Sequence, residues 1–134
     1  MVLLPSGAAV SVIRSHRLLY PETMVVVHAK ATGNVQQVMF RQTIIRAMTK
    51  RGITGGATNL KTPARDTVEM TLDGDAATIQ TFLDALRTTQ PLNSWGARVD
   101  ALVVLPTGRA VQEHQVTTTN VDERNWNPNV EFYI

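Results

Sequence analysis

The sequence predicts an α/β sandwich of the α+β type, in which two helices pack on one face of a mostly antiparallel sheet. Three observations predict it. Segments rich in β-branched residues alternate with helical patterns in the order β-α-β-β-α-β. Each helical pattern carries one apolar stripe. Apolar residues make up 43% of the 134 residues, which is sufficient for one buried core without covalent cross-links.

The first half of this pattern opens with a valine-rich run at residues 24–31, which is typical of a strand. A short loop follows. Residues 40–51 then place apolar side chains on one face of a helix, at Phe40, Ile44, Ile45 and Met48. Gly52 is a natural end for that helix. A second strand is expected at residues 53–59, where two glycines weaken the pattern.

The second half begins with alternation over residues 67–72, which predicts a third strand with Val68, Met70 and Leu72 on one side. Asp75 can cap a second helix that runs to about Arg87. Its buried stripe would comprise Ile79, Phe82, Leu83 and Leu86. A fourth strand is expected at residues 98–105. The polar stretch 106–129 shows no period, and residues 130–134 predict a short extra C-terminal strand. This order is the ferredoxin-like split βαβ pattern.

Residues 24–134 are expected to form the folded domain, and residues 1–23 an N-terminal tail. The first twenty residues contain basic side chains and no acid, which resembles a weak transit peptide as well as a disordered tail. A cytoplasmic protein is expected, or a mitochondrial one if residues 1–20 act as a transit peptide. No apolar run approaches the length of a membrane span. We also expect a monomer.

The chain has no cysteine, which excludes disulfides, thiolate catalysis and cysteine-based zinc sites. His16, His28 and His114 are scattered, and no metal-ligand cluster is visible. Net charge is +2, too small to indicate nucleic-acid binding. Residues 1–51 contain seven Lys and Arg residues and one acidic residue, Glu22. This asymmetry fits either a basic leader or an anion site in the first part of the domain.

The segment between the first strand and the first helix is the best candidate for an anion site. A loop entering a helix N-terminus presents backbone N–H groups without intrahelical partners, and the helix dipole adds positive potential there. Arg41 lies in the first turn of the helix. Its planar guanidinium can bind two phosphate oxygens together.

Residues 33–41, GNVQQVMFR, resemble the acylphosphatase signature G-x-V-Q-G-V-x-F-R. The matching positions are Gly33, Val35, Gln36, Val38, Phe40 and Arg41. The segment RGITGGATN is similar to the second family motif, G-hydrophobic-x-G-W-V-x-N, with Asn59 at its end. Similarity continues through TVEMTLDG, GARVDALVV and EFYI, so that it covers residues 24–134.

Two departures from the family pattern stand near the motif. Gln37 replaces a glycine, and a glutamine held at positive φ costs about 1–2 kcal/mol. Gly56 replaces a tryptophan.

The resemblance implies hydrolysis of acyl phosphates to a carboxylate and inorganic phosphate, without metal or other cofactor. Arg41 and Asn59 would be the catalytic residues. The phosphate-binding loop would comprise Gly33, Gln36, Gln37, Val38, Met39 and Phe40. For Gln36, a structural contact with backbone is the preferred interpretation. Trp95 and Trp126 lie in predicted loops and are interpreted as packing anchors.

Two other classes of function stay open from sequence. The same fold can act as a catalytically inactive anion-binding or interaction module, which Gln37 favours. The same strand order also occurs in RNA-binding domains, but these need aromatic side chains on a sheet face. The runs at 24–31 and 67–72 contain none, so we expect a small-molecule acyl phosphate or phosphate as the partner and no nucleic acid.

Overall fold

The computed structural model describes residues 24–107, 115–124 and 126–134. In chain order its elements are β1 Met24–Asn34, α1 Phe40–Lys50, β2 Thr54–Leu60, β3 Thr67–Asp75, α2 Ala76–Thr88, β4 Arg98–Leu105, β5 Val116–Thr117 and a single 3-10 turn, Val121–Glu123. The predicted N-terminal tail at 1–23, its transit-peptide interpretation and His114 lie outside the described residues.

The strands form one five-stranded sheet in the order β4-β1-β3-β2-β5, with every neighbouring pair antiparallel. In β1, Ala29 pairs with Met70 and Ala31 with Val68, and all four side chains are buried. These residues belong to one core cluster with the apolar stripes of both helices. The ferredoxin-like α+β sandwich predicted from sequence is therefore confirmed.

Both helices bury the stripes that periodicity predicts. In α1 these are Phe40, Ile44, Ile45 and Met48, and in α2 they are Ile79, Phe82, Leu83 and Leu86, each no more than 2% exposed. Asp75 caps α2 as expected, because its Oδ2 accepts a hydrogen bond from the Thr78 amide at 2.9 Å. Neither of the two α-helices among the described residues has the length and apolar character needed to cross a membrane.

The position of the fifth strand differs from the prediction. The expected strand at 130–134 is wrong, because the edge of β2 is occupied by β5, where Val116 pairs with Ala57 and Thr117 with Gly56. Residues 130–134 instead run beside the α2–β4 connection. There Phe132 forms an isolated bridge with Asn93, and the Tyr133 amide donates to the carbonyl of Leu92 at 2.9 Å.

We use the term C-terminal segment for residues 115–124 and 126–134, which lie against α1. Gln42 is 1% exposed and its Nε2 donates to the carbonyl oxygens of Val121, at 2.7 Å, and Arg124. The guanidinium of Arg46 lies 4.1 Å from the ring centroid of Trp126, a cation–π contact. These contacts fix the segment close to the N-terminal half of α1.

Candidate active site

The loop between β1 and α1 contains two residues in the left-handed region of backbone conformation. Gln37 has φ 64°, and Met39 has φ 59° and ψ 27°. Each such residue with a Cβ costs about 1–2 kcal/mol relative to ordinary backbone. Left-handed residues in a short loop turn successive N–H groups toward one side, which is the geometry of an anion-binding nest. Two left-handed residues therefore flank Val38 in the loop that leads into α1.

Helix α1 begins at Phe40 with Met39 as its N-cap residue, and no side chain caps it. Its first turn contains no acidic residue. The first hydrogen bond of the helix runs from the Thr43 amide to the Met39 carbonyl at 3.0 Å. The amides that precede Thr43 in this turn consequently have no intrahelical acceptor, and they share the positive end of the helix dipole.

A cleft of about 290 Å³ opens at this helix terminus. It is lined by Val35, Gln37, Met39, Phe40, Arg41, Gln42, Asn59, Trp95 and Val116. Five of the residues predicted from sequence as site residues thus share one cavity: Gln37, Met39, Phe40, Arg41 and Asn59. Gly33, Gln36 and Val38 are not part of its lining.

Two of those residues, Gln36 and Gly33, hold the loop in place. The Nε2 of Gln36 donates to the carbonyl oxygens of Leu60, at 2.6 Å, and Thr67, at 2.9 Å, so it fastens the loop to the ends of β2 and β3. Gly33 has φ 146°, and a Cβ there would lie 2.5 Å from the Arg98 carbonyl oxygen. Only glycine permits this approach of β1 to β4.

Arg41 is half-buried, and no hydrogen bond or ion pair joins it to another side chain in the described ranges. Burial lowers the pKa of Arg41 below its ordinary value, and the positive charge of Arg124 lowers that pKa further. Arginine stays protonated in proteins, so this pKa shift reports a partly desolvated cation that repels its neighbour. An anion bound beside Arg41 would relieve both effects.

Asn59 lies near the end of β2 and pairs with the buried Val68, on the sheet face that carries the helices. Its Oδ1 is buried and has no hydrogen-bond partner among the described residues. A buried acceptor left unpaired costs about 1–3 kcal/mol, so such atoms are rare unless a ligand or water completes them. Asn59 therefore lines the cleft that contains Arg41, and its Oδ1 is buried there without a partner among the described residues.

Two residues of the α2–β4 connection also belong to this region, and sequence reasoning missed them. Trp95, interpreted from sequence as a packing anchor, lines the cleft. Asn93 is fully buried and binds the carbonyl of Val38 in the loop. The strand order contains a signal for both residues. β1 and β4 are antiparallel neighbours, and Asn34 at the end of β1 pairs with Arg98 at the start of β4. The end of β1 and the connection before β4 must therefore share one edge of the sheet.

The cleft lining limits the chemistry available to this site. None of its nine residues is Ser, Thr, Cys, His, Asp, Glu or Lys. Within the described residues, no group of three His, Asp or Glu side chains could hold a metal ion. The cleft offers one cation, backbone donors and amide groups. It can bind a tetrahedral oxyanion and orient a small polar molecule beside it.

A model of the family described as Acylphosphatase matches residues 27–117 of this chain. Among solved structures, an acylphosphatase from Bacillus subtilis is similar with a TM-score of 0.51 at 23% identity, covering 68% of this chain and 91% of that one. An acylphosphatase from Coxiella burnetii gives a TM-score of 0.53 at 22% identity, with coverages of 69% and 88%. At these identities the two structures establish likeness of fold. No curated protein matches the sequence.

Proposed function

The chain belongs to the acylphosphatase family, and we propose that it hydrolyses the carboxyl–phosphate bond of acyl phosphates. The observation that carries this proposal is the meeting of three features in one cleft. These are the uncapped start of α1, the partly buried guanidinium of Arg41 and the side chain of Asn59, whose buried Oδ1 has no partner among the described residues. A phosphoryl group and a water molecule would complete all three.

In the proposed reaction the phosphoryl oxygens bind to the amides at the start of α1 and to Arg41. Arg41 can donate two parallel hydrogen bonds to these oxygens, and its charge offsets the negative charge on them in the transition state. Because the site is partly desolvated, this attraction is stronger than it would be in water. Gln37 lies at the same wall, and its left-handed backbone keeps the loop curved around the phosphoryl group.

Asn59 is the residue that would orient the nucleophile. Its side-chain amide would hydrogen-bond a water molecule and aim the water oxygen at phosphorus. The new bond joins that oxygen to phosphorus, and the bond between phosphorus and the acyl oxygen breaks with its electron pair on the carboxylate. The proton lost by the water passes to the phosphate product or to solvent. A carboxylate is a good leaving group, so positioning and electrostatics suffice without a protein nucleophile.

The direct test is hydrolysis of benzoyl phosphate by the full chain in the presence of a metal chelator. Wild type is expected to turn the substrate over, with inorganic phosphate as a competitive inhibitor. Arg41→Ala is expected to lose several orders of magnitude in kcat, since one transition-state donor is typically worth roughly 10²–10³. Arg87→Ala is the matched control, because Arg87 is an exposed arginine of α2 that pairs with Asp84.

The outcome that contradicts the proposal is equally specific. Phosphate that raises the unfolding temperature of wild type, with no turnover of benzoyl phosphate, identifies an inactive anion-binding module. A wild-type protein that neither hydrolyses benzoyl phosphate nor binds phosphate rejects both functions. Asn59→Ala separates binding from catalysis, because it is expected to lower kcat while phosphate affinity stays within about threefold of wild type.

A further inference from the structure

The cleft has an apolar side that the proposed reaction does not use. Val35, Phe40 and Val116 contribute to its lining but are each about 1% exposed, so they form its floor. Trp95 also lines the cleft, and it is 39% exposed. The cleft therefore pairs a cationic site for an oxyanion with one accessible aromatic ring.

The Trp95 ring is held in position from two directions. Its Nε1 donates to the carbonyl of Asn129 in the C-terminal segment at 3.2 Å, and its backbone amide donates to Oδ1 of Asn93 at 2.9 Å. The same connection is fixed again by Ser94, whose amide donates to the Glu131 carbonyl at 2.8 Å. A ring anchored in this way loses little conformational freedom when a ligand packs against it, which favours binding.

Part of the anchor comes from the C-terminal segment. The family match ends at residue 117, whereas Asn129 and Glu131 lie in the C-terminal segment. That segment is itself fastened to α1 through Gln42. The position of Trp95 is thus set jointly by Asn93 and by the C-terminal segment.

We propose that Trp95 determines specificity for the acyl group and that the preferred substrates are aromatic acyl phosphates. This inference rests on the proposed function. With the phosphoryl group at Arg41, the planar acyl group extends along the cleft to the Trp95 ring and packs on it in an offset or edge-to-face arrangement. A volume of about 290 Å³ lies just below the usual range for ligand pockets, roughly 300–1,000 Å³, and suits a single-ring substrate.

The test compares kcat/KM for benzoyl phosphate and acetyl phosphate, which share the reacting group and differ in the acyl group. Trp95→Ala is expected to lower kcat/KM for benzoyl phosphate by about 10- to 100-fold, through lost stacking and apolar contact, and for acetyl phosphate by less than threefold. Trp95→Phe is expected to keep most of the wild-type kcat/KM for benzoyl phosphate. Trp126→Ala is the control, since Trp126 packs on Arg46 and Phe132 and does not line the cleft.

The outcomes separate this inference from the proposed function. If Trp95→Ala lowers kcat/KM equally for both substrates, Trp95 has a structural role and the inference is overturned. The inference is also overturned if Trp95→Ala lowers kcat/KM for neither substrate. If wild type hydrolyses neither substrate, the proposed function fails, and the inference is judged by binding of benzoylphosphonate and acetylphosphonate, which cannot be hydrolysed. Stronger binding of benzoylphosphonate, abolished by Trp95→Ala, supports it, and equal binding rejects it.

A spectroscopic readout complements the kinetics. The chain has two tryptophans, so Trp126→Phe leaves Trp95 as its single indole fluorophore. Benzoylphosphonate is expected to change the Trp95 emission on binding, whereas acetylphosphonate at equal occupancy changes it little. Emission that responds identically to both ligands contradicts contact between Trp95 and the acyl group.

Discussion

The side-chain amide of Asn93 donates a hydrogen bond to the carbonyl of Val38, with 2.8 Å between nitrogen and oxygen. The same nitrogen donates to Oγ1 of Thr43 at 2.8 Å, and the Oδ1 of Asn93 accepts from the amides of Trp95 and Ala97. One fully buried amide thus joins the β1–α1 loop, α1 and the connection that carries Trp95. All polar atoms of the group are used, which makes it a rigid junction.

Asn93→Ala is expected to destabilise the protein by about 2–4 kcal/mol. The substitution leaves the part-buried Val38 carbonyl and Trp95 amide and the buried Ala97 amide without their partner, and an unpaired buried group costs about 1–3 kcal/mol. Urea unfolding measures the loss. Asn34→Ala is the control, because its Nδ2 makes one exposed hydrogen bond to Gly96 and should cost about 1 kcal/mol. Equal losses in the two variants would show that Asn93 is not a special junction.

Gln37→Gly is expected to stabilise the protein by about 0.5–1 kcal/mol. Relief of the left-handed strain, roughly 1–2 kcal/mol, exceeds the extra conformational entropy that glycine loses on folding, roughly 0.5–1 kcal/mol. Gln80→Gly places the same substitution on the exposed face of α2 and is expected to destabilise by about 1 kcal/mol. A higher free energy of unfolding for Gln37→Gly and a lower one for Gln80→Gly, both from urea unfolding, support the strain at Gln37. A lower free energy of unfolding in both variants argues against it.

The fold follows from the sequence where periodicity is long enough to detect. The helical pattern runs for eleven or more residues in α1 and α2, and the alternation runs for six or more in β3. These lengths were enough to predict the buried side chains of all three elements correctly. The strand β5 has two residues, too few to show any period, and it is followed by two more threonines. The position of that strand is decided by the free edge of β2, a tertiary property that local pattern does not contain.

The site shows the same division between local and tertiary information. The nine-residue motif placed Arg41 and the loop at a helix N-terminus, because loop and helix are adjacent in sequence. Asn93 and Trp95 come from a connection more than fifty residues later, and they reach the loop through the register of β1 with β4. Pairing register, rather than residue type, brings them to the cleft.

Gly55→Ala is expected to destabilise the protein by about 4 kcal/mol or more. Gly55 has φ 155°, and a Cβ there would lie 1.8 Å from the carbonyl oxygen of Thr71, so β2 and β3 would have to separate. Gly52→Ala is the matched control. Its φ is 73° and no atom lies within 4 Å of the added Cβ, so it should lose only the left-handed penalty of about 1–2 kcal/mol. Similar unfolding midpoints for the two variants would contradict the close approach at Gly55.

Asn59→Leu is expected to stabilise the protein by about 1 kcal/mol and to lower kcat for benzoyl phosphate by at least roughly 100-fold. Removing a buried acceptor without a partner relieves a desolvation penalty, while the water-orienting group is lost.

Thr58→Val provides the comparison. Its Oγ1 is likewise buried and unpartnered among the described residues, but Thr58 pairs with Glu69 and lies on the opposite face of the sheet from Asn59. Thr58→Val should therefore gain similar stability with unchanged kcat. Destabilisation by Asn59→Leu would mean that the amide has a structural partner, and unchanged kcat would remove Asn59 from the proposed reaction.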